Sequence, residues 1–174
     1  MTVYRTNYSY SAVSTAFTPG ATPVDVFSIT GSSSNNVYVT RMGISTTQTT
    51  EGINAWFLAK RSTANSGGTS AAPDIVSHNS NNPAVSASVL QYTANPTAGT
   101  LVGYLWGGWV NSPKVATAGI GGFQGVEINF EDMFGQPLCL LSASQVLAWN
   151  FKGAALPAGL SVIAYCSWYE VSKS

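Results

Sequence analysis

Charge is what this chain has least of. Seven Lys and Arg stand against seven Asp and Glu in 174 residues, 8 % in all, where a soluble domain carries about 25 %. The single histidine and two cysteines leave few groups for acid–base, nucleophilic or metal chemistry. With formal net charge zero and Lys60-Arg61 as the one adjacent basic pair, the chain lacks the clustered cations that hold phosphates, which excludes a nucleic-acid partner. The basic pair reads as a solvated strand end. An uncharged apolar run near the 18–20 residues of a membrane helix is also missing, so no membrane is expected as a partner. Leu101 to Val110 comes nearest, and it is short and rich in glycine. The start, Met-Thr-Val-Tyr-Arg, has no apolar h-region, so synthesis in the cytoplasm is expected.

What replaces charge is hydroxyl and amide. Ser, Thr and Asn supply about fifty residues, well above ordinary usage. Such a surface has little long-range field and little repulsion between copies. It suits a protein packed against neighbours. Hydrophobic residues make up 45 %, enough for a core of ordinary size in one domain.

Along the chain, short apolar alternations are separated by turn signals, and no amphipathic helix stands out. Phe27 and Ile29 share a face in Asp25–Thr30. Val37–Ile44 is β-branched, and Ile53–Lys60 is apolar on both faces. Ser62–Pro83 is a long polar stretch. Ser86–Tyr92, Leu101–Val110, Val126–Phe130, Leu138–Leu141 and Val146–Phe151 follow as strands. In Leu160–Val171, Leu160, Val162, Ala164, Cys166 and Trp168 alternate with Ser161, Ile163, Tyr165, Ser167 and Tyr169. Within Leu101–Val110, Leu101, Leu105 and Trp109 are expected on one face, with Val102, Tyr104 and Trp106 on the other. Glycines 103, 107 and 108 suggest a bulge or the close approach of another backbone. Eight or nine strands with regular turns predict an all-β antiparallel sandwich, jelly-roll-like by strand count. Residues 1–17, with Tyr4, Tyr8 and Tyr10, are expected to form an N-terminal arm laid over a neighbour, with a first edge strand as the other reading. Residues 18–174 form the sandwich domain.

Catalytic and metal motifs do not assemble. His78 lies in a polar loop, and no Gly-x-Ser-x-Gly elbow provides a nucleophile for it. Cys139 and Cys166 both sit in apolar runs, where a thiol acts as a small hydrophobe. Whether they pair is left to geometry, and with one His they give no closed zinc spacing. Gly119, Gly121, Gly122 and Gly125 evoke a phosphate loop, but the pattern fails at Gln124 and no helix follows. Glu127, Glu131 and Asp132 form the one acidic cluster. Paired carboxylates can hydrolyse sugars or bind calcium, though beside the turn Met133–Pro137 hydration alone accounts for them. The expectation is no catalytic, cofactor-binding or metal-binding residue, and no cofactor. Trp56, Trp109, Trp149 and Trp168 are expected in the core, with Trp106 and the N-terminal tyrosines exposed. Exposed rings suit a glycan or a neighbouring subunit equally.

Several stretches taken together carry a family likeness: Asp25–Gly31, Lys60–Ser70, His78–Ala84, Tyr92–Thr97 and Leu147–Phe151. They resemble a family of small all-β virion structural proteins of tailed bacteriophages and prophages, over about Pro23 to Glu170. The resemblance implies a non-enzymatic capsid cement or decoration protein on the capsid exterior, contacting the major capsid protein or other virion proteins. It also implies a homo-oligomer, with a trimer preferred. The alternative is a tail- or fibre-associated module binding carbohydrate or a host receptor. A hydrolase on a jelly-roll scaffold is the third reading. No functional residue carries over from the resemblance, because its motifs are structural.

Overall fold

The computed structural model describes residues 7–49, 52–112 and 125–173. Its strands are β1 (Tyr8–Val13), β2 (Asp25–Thr30), β3 (Asn35–Thr47), β4 (Gly52–Arg61), β5 (Ser70–Ala71), β6 (Ile75–Ser77), β7 (Ser88–Tyr92), β8 (Leu101–Ser112), β9 (Gly125–Asn129), β10 (Leu138–Leu140), β11 (Val146–Asn150) and β12 (Ser161–Ser172). One short helix, α1 (Phe130–Phe134), lies between β9 and β10. The strands form two antiparallel sheets packed face to face, as expected of an all-β sandwich.

In the first sheet the order is β10-β3-β12-β1-β6, with β9 also on β3. Both β9 and β10 pair with β3, at Arg41–Ser45 and Val37–Val39 respectively. Together they are one edge strand interrupted by α1. The Asn129 side chain accepts from the backbone N–H groups of Glu131 and Asp132, and Gly135 ends the helix at φ 74°. The second sheet runs β5-β7-β2-β11-β4-β8. Without the short β5–β7 excursion, the orders are β1-β12-β3-β9/β10 facing β2-β11-β4-β8. Successive strands change sheet except between β4 and β8.

The core follows the period-2 pattern. Val162, Ala164, Cys166 and Trp168 of β12 are buried, and Tyr10, Phe27, Ile29, Met42, Trp56, Leu58, Leu147 and Trp149 meet them from other strands. The Trp149 indole N–H crosses between the sheets to the Gly43 carbonyl at 3.1 Å. Strand β11 is buried at every position. It lies between β2 and β4.

Expectations for the N-terminal segment and for two tryptophans need correction here. Residues 8–13 are not a free arm: β1 is an inner strand, paired along Tyr8–Val13 with Glu170–Tyr165 of β12 and on its other side with β6. Tyr10 is buried and stacks on Trp168 at 5.7 Å, so the boundary expected at residue 18 falls inside the sandwich. Tyr4 and residues 1–6 lie outside the described residues. Trp109 is not a core residue but is 76 % exposed. The cause is a shift in the β4–β8 register, where Leu58 faces Trp106 but Ala59 faces Tyr104. Leu105 is thus the extra residue of a bulge, which reverses the face of everything beyond it. Tyr104 and Trp109 therefore share the outer face, while Trp106 turns inward beside Leu58. Half-buried rather than exposed, Trp106 sets its ring edge-on to Trp149 at 5.8 Å.

Candidate functional site

The outer face of β4 and β8 carries the most unusual surface among the described residues. Directly paired antiparallel residues place their side chains on the same face. Ala55 faces Trp109, Ile53 faces Asn111 and Phe57 faces Gly107. Ile53 and Val102 are 63 % and 62 % exposed, and with Trp109 and Tyr104 they leave apolar surface open to solvent. Phe57 and Tyr104 pack ring to ring at 5.4 Å. The absence of Cβ at Gly107 and Gly108 is used by rings rather than by another backbone. A Cβ at Gly107 would lie 2.7 Å from the Phe57 ring, and one at Gly108 would lie 2.6 Å from the Trp106 ring. From Leu101 to Ser112 no Asp, Glu, Lys, Arg or His occurs.

One cation borders this strip. Lys152 sets its ammonium 3.6 Å from the Phe57 ring centroid and 4.2 Å from that of Tyr104. It is held there by a turn in which Lys152 and Gly153 both take positive φ, 55° and 71°. The Lys152 N–H donates to Asn150 Oδ1 at 2.8 Å. The arrangement offers flat aromatic area, a strand edge and almost no field. It can be covered by protein, or it can stack a sugar ring.

The residues singled out from the sequence do not converge. His78 sits in an exposed loop where its backbone N–H donates to Ser9 O, and the neighbouring Ser77 hydroxyl donates to Asn79 O. Cys139 and Cys166 are free and occupy opposite faces of the first sheet. Cys166 points inward in the β12 alternation, and Cys139 lies opposite Tyr38 on the outer side. Burial raises both thiols above their usual range, and the Tyr38 hydroxyl partly offsets this at Cys139. Glu127 accepts from the Tyr165 hydroxyl at 2.6 Å and lies 3.8 Å from Arg41. Burial, then the Glu127 carboxylate, push the Tyr165 phenol up to about 12. Glu131 and Asp132 occupy the first turn of α1, exposed. Of the glycine cluster only Gly125 lies within the described residues. Among those residues, no group of three His, Cys, Asp or Glu gathers as metal ligands, and no helix is long and apolar enough to cross a membrane.

Two buried carboxylates escaped the sequence reading. Arg61, expected at a solvated strand end, is buried and forks onto Asp25, Nε to Oδ2 at 2.6 Å and Nη2 to Oδ1 at 2.7 Å. Asn65 and Asn150 also donate to Asp25, and Arg61 Nη1 donates to Gly99 O. This network ties β2, β4 and β11 to Asn65 and Gly99 in the loops that follow β4 and β7. No sequence signal marks Arg61, because its partners, Asp25 of β2 and Gly99, are distant in the chain. Glu170 is fully buried and accepts from Ser86 N and Oγ, Ala87 N, Asn35 Nδ2 and Trp168 Nε1. It shares the inward parity of Trp168, and that parity was the available signal. A pocket beside α1, lined by Leu105, Phe130, Phe134, Gln136, Pro137 and Leu138, is apolar and open. Comparison with protein-family models, with curated proteins and with solved structures found no match.

Proposed function

We propose that this chain is a non-enzymatic structural protein of a tailed-bacteriophage virion, a cement or decoration subunit on the capsid exterior. The observation that carries the reading is the exposed aromatic face of β4–β8, with Lys152 set over two of its rings, on a chain with so few ions. Apolar surface of this kind on a soluble protein marks an interaction site, and interface cores are depleted in charge and enriched in Trp and Tyr. The family likeness over Pro23–Glu170 points the same way. The strand orders β1-β12-β3-β9/β10 and β2-β11-β4-β8 support a jelly roll, an architecture used by capsid proteins. The buried ties at Asp25 and Glu170 make the sandwich a rigid platform. Arg61, Asn65 and Asn150 donate to Asp25, and Ser86, Ala87, Asn35 and Trp168 donate to Glu170, so both carboxylates hold separate segments of the chain together.

A tail- or fibre-borne carbohydrate module is the second reading. It is favoured by one observation, the exposed Trp109 ring with the amide of Asn111 on the same face. Electron microscopy of the particle that carries the chain separates the two. An 18.2 kDa β-sandwich on the outer shell is the expected density. Shell attachment should survive a rise from about 0.1 to about 1 M salt, because few ion pairs are available to be screened. Density on a tail fibre, with glycan-array binding that Trp109→Ala abolishes, would transfer the assignment to the second reading. A particle lacking the chain altogether sinks both.

A further inference from the structure

We infer that two copies of this chain associate through the edge of β8 that is unpaired among the described residues, strand against antiparallel strand, about a two-fold axis at Trp109. The inference goes beyond the virion reading and does not depend on it. An unprotected sheet edge presents a row of N–H and C=O groups that another strand can pair, and proteins blunt such edges with short strands, charge or interruption. The other edges here are blunted. Strands β5 and β6 have two and three residues, and the β9/β10 edge is broken by α1 and carries Glu127. Strand β8 has twelve residues and no charge, and among the described residues nothing pairs with its far side.

The register selects the part that pairs. The bulges lie toward the Leu101 end, whereas Trp106–Ser112 runs without a shift against Leu58–Gly52. Bulges twist an edge away from a partner, so the regular seven residues form the available surface. Their midpoint is Trp109. In a two-fold antiparallel pair Trp109 faces Trp109 of the second copy, Gly108 faces Val110 and Gly107 faces Asn111. A second copy is the occupant because the stretch complements itself. It is neutral against neutral on a chain of zero net charge, its central residue is a three-quarters-exposed ring, and its backbone donors and acceptors mirror across the axis. The joined second sheets would count twelve strands, from six in each copy. Seven residues span about 23 Å. With the Trp109 and Ile53 side chains, burial comes to on the order of 500–600 Å² per copy, the low end for a specific interface. A reversible, micromolar dimer follows.

Sedimentation of the full chain from about 1 to about 100 µM tests this. The mass should rise from 18.2 kDa toward twice that value. Trp109→Lys and, separately, Asn111→Lys should hold it at the monomer with unchanged far-ultraviolet circular dichroism. Both side chains point to solvent, so neither change burdens the fold. A wild-type mass that stays monomeric throughout, a limiting mass above the dimer, or charged variants that dimerise like the wild type would each overturn the proposal.

Discussion

Glu170 shows how one residue can be both buried and ionised without a cation. Burial alone raises a carboxyl's pKa, but donors from Ser86, Ala87, Asn35 and Trp168 outweigh it and hold the group below its ordinary value of 4.5. A carboxylate with a lowered folded pKa contributes stability that is present above the unfolded value and lost as pH falls through the folded one. Glu170→Gln places an amide among these donors, leaving some unpaired at a cost of about 2–3 kcal/mol near neutrality. Urea midpoints should therefore drop for the variant at pH 7. The gap to wild type should narrow once pH is taken well below 4.5. A gap that is constant with pH would show that Glu170 is already protonated in the folded protein.

Pairing between elements is decided by the fit of side chains across neighbouring strands. On the outer face of the first sheet, Gly43 of β3 lies opposite Tyr165 of β12. A Cβ there would come within 2.0 Å of the tyrosine ring. The ring covers the glycine and is anchored by its hydroxyl on Glu127. Gly43→Ala must push the ring out and break that bond, costing about 1–3 kcal/mol as overpacking does. The tyrosine titration supplies a second readout. Burial and Glu127 push the wild-type Tyr165 phenol up to about 12, so its contribution is complete below the ordinary 10 and lost as pH rises toward that raised value. In the variant that phenol should return toward 10, and a titration curve identical to wild type would show the ring had not moved. The same scale holds the main failure of parity. Alternation assigned the faces of β12 correctly from Ser161 to Tyr169, because the register shift in its β3 pairing at Ser167/Trp168 places the extra residue, Thr40, in β3 rather than in β12. It failed in β8, where Leu105 is an added residue that alternation cannot mark as skipped.

At the scale of the molecule, the sandwich closes only when its first and last strands meet. Strand β1 fills the position between β12 and β6, and the Tyr10 hydroxyl donates to Pro83 O at 2.8 Å. Deleting residues 2–16 removes an inner strand together with Tyr10 and Ala12 of the core. The truncated chain should lose its cooperative thermal transition and expose apolar surface to a hydrophobic dye. A folded 2–16 deletion would restore the reading of this segment as a separable arm.

By itself the sequence determined the class of fold and the character of the surface. Period-2 alternation, turn residues and the scarcity of ions are local or summed properties, and they survive without knowing which strand neighbours which. Tertiary structure alone decided the strand order, the inner place of β1, the burial of Arg61 on Asp25 and the exposure of Trp109. Each depends on contacts between residues far apart in the chain. Asp25 and Arg61 meet across β11, and Trp109 faces solvent because of a bulge in its pairing with β4. Free energies of such long-range pairings are set by geometry that a one-dimensional pattern does not contain.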